Sequence, residues 1–196
     1  MEDERLRRLI ERIDQLNSED PNQELSEGTP APRELVYARR LSDWVLRLCP
    51  HASEVLRIAA RGQHLCRWTI PRSQYPMTRQ GYLRWRETLK TLHAERVTAV
   101  MREAGYPDEM MRDVRSLIVK RRPPGDVEAQ ALEDALCLIF FEAQYAPMRQ
   151  KTPEDKLREV VRKVWRKMSL RAREEALRLE LSDEDRAVLQ RALDLT

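Results

Sequence analysis

Apolar residues recur along this chain at three- and four-residue intervals, and hardly anywhere in strict alternation, so its pattern predicts helices. An amphipathic run from about Glu2 to Leu16 gives the first. The second covers about Arg33 to Leu48, with Leu35, Leu41, Trp44, Val45 and Leu48 on one face. A break at Cys49-Pro50-His51 precedes a third, from about Ala52 to Trp68. Its apolar face holds Val55, Ile58, Ala59, Gly62, Leu65 and Cys66, and its other face Arg57, Arg61, His64 and Trp68.

TIPRSQYPM follows as an irregular loop, because Pro71 and Pro76 both forbid helix continuation. Thr78 caps a long helix running to about Ala104, with Tyr82, Trp85, Leu89, Leu92 and Val100 as its core stripe. Arg86, Lys90 and His93 line the adjacent stripe. Gly105 ends it, Asp108 to Arg122 forms the next helix, and RRPPGD breaks the chain again. Residues 127 to about 145 are apolar on nearly every side, which marks a buried central helix with Glu133 and Asp134 near the core. Helices from Thr152-Pro153 to about Met168, from Leu170 to Leu179 and from Ser182 onward complete the pattern. The fold expected is all-α: a helix over 1–17, an acidic linker over 18–32, and one bundle domain over 33–196, with about seven to nine helices in all.

Composition narrows the class. Three scattered cysteines without ligand spacing suit a reducing compartment, the N-terminus is charged, and no apolar run approaches the roughly 20 residues needed to span a bilayer. A cytoplasmic protein with no membrane partner is expected; nothing in the sequence speaks to oligomeric state.

Charge changes the picture more. Residues 1–32 carry 4 basic and 9 acidic side chains, net −5; residues 33–122 carry 19 and 9, net +10; residues 123–196 carry 13 and 15, net −2. Of the 19 basic residues in the middle segment, 17 are Arg, whose planar fork grips phosphate and carboxylate. No phosphate-binding glycine loop, metalloprotease motif or nucleophile elbow occurs. Cys66 is set aside as a nucleophile because it lies on a different face from His64, and His51 reads as a surface residue.

Histidines and carboxylates from separate helices can converge inside a bundle as an acid–base or metal site. His64, His93, Glu133 and Asp134 are the catalytic candidates. Arg39, Arg40, Arg61, Arg67, Arg72, Arg79, Arg86 and Lys90 are the anion contacts, and Trp68, Tyr75 and the TIPRSQYPM loop a wall or lid. The ligand expected is a small, phosphorylated anion, and no cofactor is required. Two alternatives stand beside this reading. One is a non-enzymatic module binding RNA or an acidic partner through the basic face. The other is a hydrolase whose divalent metal is held by His64, His93 and Asp134 or Glu133.

The segments ELVYARRLSDWV, ASEVLRIAARGQHLCRWTIPR, YPMTRQGYLRWR, HAERVTAVMREAGY, ALEDALCLIFFE and KVWRKMS, in this order, resemble the family called domain of unknown function 4202. That resemblance supplies a signature and no reaction. A more distant resemblance is to HD-domain phosphohydrolases, in which an early His, a His-Asp doublet and a late Asp hold a metal. It would put His64 in the doublet, Asp134 (with Glu133 beside it) in the late position and His93 in an accessory one, and would imply an HD-like hydrolase. The chain departs from it in three places. Leu65 stands where the doublet Asp belongs, Arg39 and Arg40 where the early His belongs, and the segment ending at Lys120 lacks its His.

Overall fold

The computed structural model describes residues 2–26 and 28–193. The limits expected at Met1 and Thr196 lie outside them. Helix α1 (Glu2–Asn17) buries Leu6, Leu9 and Ile13 against the rest of the molecule. The segment expected as a linker carries a small antiparallel hairpin, β1 (Gln23–Ser26) and β2 (Thr29–Pro32), with Gln23 opposite Pro32 and Ser26 opposite Thr29. Four residues per strand, two prolines among them, give no alternation long enough to read from sequence.

The hairpin matters because it delivers Asp20. This carboxylate, 2% exposed, accepts from the Asn22 backbone N–H at 2.9 Å, and from the backbone N–H of Glu34 at 3.1 Å. Pro32, before the first residue of α2 (Arg33–Leu48), has no side-chain oxygen to cap that helix, so Asp20 does it from fourteen residues away.

Helix α3 (Glu54–Gly62) is capped by Ser53 and is shorter than the sequence pattern suggests. Gly62 ends it against α4, and Cys66 then takes a left-handed backbone, φ 58°. The expected face of Arg57, Arg61, His64 and Trp68 therefore does not form: the last two lie beyond the helix, in a run of turns. Next come short 3-10 turns at Arg67–Thr69 and Arg72–Gln74, then α4 (Arg79–Glu103), capped by Thr78 as expected. Gly105, φ 72°, reverses the chain into α5 (Asp108–Ile118).

Helix α6 (Val127–Ile139) is the central one, burying Ala131, Leu132, Ala135, Leu138 and Ile139 and packing on α2, α3 and the C-terminal helices. It widens into a π-helical turn over Phe140–Gln144 before α7 (Tyr145–Arg149). The fold closes with α8 (Glu154–Lys167), α9 (Leu170–Leu177) and α10 (Asp183–Leu193). It is a mostly all-α domain. No helix among the described residues is long and apolar enough to cross a membrane.

Candidate functional site

A cavity of about 310 Å³ opens where α2, α4, α6 and α8 face the turns after α3 and Lys120, two residues beyond α5. Three of its cations come from helix ends or turns: Arg67 after α3, Lys120 after α5 and Lys167 at the end of α8. Arg86 and Lys90 come from one stripe of α4, one turn apart and one turn before His93, as the 3.6-residue period requires. Cys66 and Lys120 are the two non-glycine residues with positive φ among the described residues, at 58° and 60°. Each such residue costs about 1–3 kcal/mol, and such strain gathers at functional sites. Here one precedes a cavity cation and the other is one.

Two histidines form the deep wall. His93, 3% exposed, sends Nδ1 to the Leu65 carbonyl at 2.9 Å. A carbonyl only accepts, so Nδ1 carries the proton and Nε2 is the free acceptor. Burial, the neighbouring His64 and Arg67 push the His93 pKa down to about 3. His64 faces Glu34, Nδ1 to Oε2 at 3.2 Å, and stacks on Tyr37 with ring centroids 4.0 Å apart. Burial, then Arg67, Arg86 and Lys120, hold it well below the ordinary histidine range, so it too is neutral and donates from Nδ1 to the carboxylate. The two imidazoles lie 5.6 Å apart. Burial raises the Glu34 carboxyl, with Arg67 and Arg33 opposing.

Glu133 bridges Lys120 and Lys167, the latter at 3.0 Å. Burial alone would raise its pKa, but the two lysines outweigh burial and hold it below the usual range. Asp134, one residue on, points the other way. Its carboxylate accepts from Ser169 N at 2.8 Å, Ser169 Oγ at 2.6 Å and Gln130 Nε2 at 2.9 Å. It stands at the start of α9 and does not line the cavity. Asp134→Ala is accordingly expected to lower stability by about 2 kcal/mol through the lost hydrogen bonds, measured by urea unfolding. Unchanged stability would show that this carboxylate is not holding α9.

Seven further residues expected at the site lie elsewhere or serve the loop. Arg61 forms a two-pronged bond to Asp14, both contacts 2.6 Å, tying α3 to α1. Arg39 faces the same Asp14 at 3.8 Å, and Arg40 reaches Glu24 at 3.1 Å. Trp68 packs on the core, and Arg79 is exposed at the first position of α4. Arg72 donates to the carbonyls of Tyr75, Pro76 and Thr78, so its charge stitches the loop. Tyr75 bonds Thr88 Oγ1 at 3.0 Å, which fastens the same loop to α4.

Sequence reasoning missed Glu34, Tyr37, Lys120, Lys167 and Gln63. Glu34 reads as an ordinary first-turn acid, and Lys167 as one of several lysines on a solvated face; the available signal was that Glu34 and Tyr37 lie one turn apart on α2.

A metal does not suit this set. Among the described residues no three His, Cys, Asp or Glu side chains are grouped to hold one. Glu133 is held by two lysines and Asp134 is absent from the wall, so the two imidazoles have no free carboxylate beside them to complete a site. Where the HD pattern has its Asp, the Leu65 side chain is fully buried and its carbonyl orients His93.

A family model described as "Domain of unknown function (DUF4202)" matches residues 7–189. No curated protein and no solved structure matches the chain. The match begins inside α1, takes in the hairpin and both histidine segments, and ends inside α10. On that extent, the chain belongs to the family of domain of unknown function 4202.

Proposed function

We propose that the protein binds a small phosphate-bearing anion in this cavity at neutral pH. One observation carries the reading: Arg67, Arg86, Lys90, Lys120 and Lys167 line a single space of about 310 Å³ against one lining carboxylate among the described residues, Glu133. Cations converging in a concave, partly dry site attract an anion far more strongly than the same charges spread over a surface. The volume matches that of small-molecule sites. The alternative of RNA on an open basic face draws less support, because Arg39, Arg40 and Arg61 face carboxylates of the protein itself.

Proton transfer by the histidines is not part of the proposal. A general base works best when its pKa lies near the operating pH, and both imidazoles are held far below that. Their role here is that of neutral hydrogen-bond acceptors in a cationic wall.

Sulfate tests the reading, since its charge is constant from pH 6 to pH 8. Calorimetric titration is expected to show saturable binding whose affinity changes by less than about twofold across that range. The sign follows from the shifts: a histidine of ordinary pKa would gain a proton below about pH 6.5 and tighten anion binding as pH falls, whereas these two stay neutral. Absence of saturable binding sinks the proposal, and a steep rise toward pH 6 sinks the neutral-histidine part of it.

A further inference from the structure

Gln63, which closes α3, lines the cavity with a side chain only 6% exposed, and its buried Oε1 has no hydrogen-bond partner among the described residues. The two imidazoles beside it are not sealed off in that way, but their Nε2 atoms are also unpartnered among the described residues, each ring spending Nδ1 on the protein. The wall therefore carries three acceptors in want of donors. The cations do not supply them: Lys120 and Lys167 bond Glu133, Lys90 bonds Glu87, Arg67 lies over the Trp85 ring and Arg86 meets the Tyr82 hydroxyl.

The dianion of a phosphate monoester brings no proton, so its phosphate would engage the cations and leave the three acceptors to the rest of the molecule. Ammonium donors are disfavoured by the surrounding positive charge. A flat base would need an aromatic face, and those here have partners: Tyr37 stacks on His64, Trp85 lies under Arg67, Tyr82 tilts against Trp85 with Arg72 at 6.0 Å, and Phe140 packs edge-on to Phe141. Neutral hydroxyl donors remain.

Resting on the anion-site reading, we infer that the occupant is a phosphorylated sugar or polyol. Its phosphate meets the cations led by Arg86 and Lys90, and its hydroxyls donate to Gln63 Oε1 and the two Nε2 atoms. The acceptor wall then sets specificity, because a site built to accept from hydroxyls disfavours analogues that lack them.

Calorimetric titration of the full chain with inorganic phosphate, propyl phosphate, glycerol 3-phosphate and ribose 5-phosphate tests this, alongside Gln63→Leu. Ribose 5-phosphate is expected to bind at least about tenfold tighter than propyl phosphate. Gln63→Leu, of similar shape, is expected to shrink that preference, read as the ratio of the two ester affinities in the same variant. Equal affinity for the propyl and ribose esters in the native protein overturns the inference even if the variant fails to fold, and so does tighter binding of a nucleoside monophosphate than of ribose 5-phosphate. If no phosphate compound binds at all, the anion-site reading falls. If inorganic phosphate binds and hydroxyls add nothing, only this inference falls.

Discussion

Arg86→Glu is expected to weaken inorganic phosphate binding by at least about a hundredfold while leaving the fold intact. Arg86 is exposed at the cavity mouth, and its one hydrogen bond among the described residues is a long 3.4 Å contact to the Tyr82 hydroxyl. No carboxylate among the described residues pairs with it, so its replacement strands no buried partner there, and such surface changes stay within about 0.5 kcal/mol. The cavity loses more than one charge. A glutamate at position 86 would lie one helical turn before Lys90, the favourable order for an ion pair, and would draw that lysine from the ligand. The electrostatic change is then two charges or more. At about 6 Å and an effective dielectric of about 40, each is worth about 1.4 kcal/mol, which together is about a hundredfold in affinity. Arg84→Glu is the control: exposed on the same helix but outside the cavity, it should leave phosphate affinity within about twofold. Equal losses in the two variants would mean that net charge and not this cavity attracts the anion.

The long, strongly patterned elements were legible in the sequence, and the reason is local. Thr78 caps α4, and Arg86, Lys90 and His93 fall on one stripe of it because the helical period decides both. The apolar stretch of α6 is central because it has no polar face to give to water. What failed was the end of α3. Its apolar face continues in sequence through Leu65 and Cys66, so periodicity extends the helix, yet the close approach of α4 at Gly62 and the left-handed turn at Cys66 end it. The helix end at Gly62 changes the site, since it lies between Arg61 and His64 and leaves His64 against Glu34 and Tyr37.

The candidate site divides in the same way. His64, His93, Arg67, Arg86, Lys90 and Glu133 line one cavity. Asp134 does not, because adjacent residues on a helix point about 100° apart, and only one of two neighbouring acids can face a given cavity. Nor could sequence show which arginines were free. Asp14 and Glu24, remote in the chain, engage Arg39, Arg61 and Arg40, a long-range fact that composition does not carry. The Asp20 cap is of the same kind. It fixes the start of α2, hence Glu34, and through Glu34 the proton on His64.

Gly62→Val is expected to lower stability by about 3 kcal/mol, the upper range for overpacking a core, which for a chain of this size lowers the melting temperature by about 6–12 °C. A Cβ at this position would stand 2.2 Å from Val97 Cγ2 and 3.4 Å from both Val97 Cβ and Cγ1. Val97 is fully buried in the middle of α4, and its branched side chain has one strongly preferred rotamer in a helix. It cannot swing aside, so α3 must move from α4 instead. Gly62 has an ordinary helical backbone, and the cost is therefore spatial. That makes it testable by compensation. In a Val97→Ala background the offending methyl is gone, and Gly62→Ala should become nearly neutral, or gain up to about 1 kcal/mol from helix propensity, where alone it is destabilising. Gln63 and His64 follow directly on Gly62, so the displaced helix end carries the deep wall of the cavity with it, and phosphate affinity should fall in Gly62→Val and recover in the compensated pair. If Gly62→Ala costs as much with Val97→Ala as without it, the helix contact is not what this glycine serves.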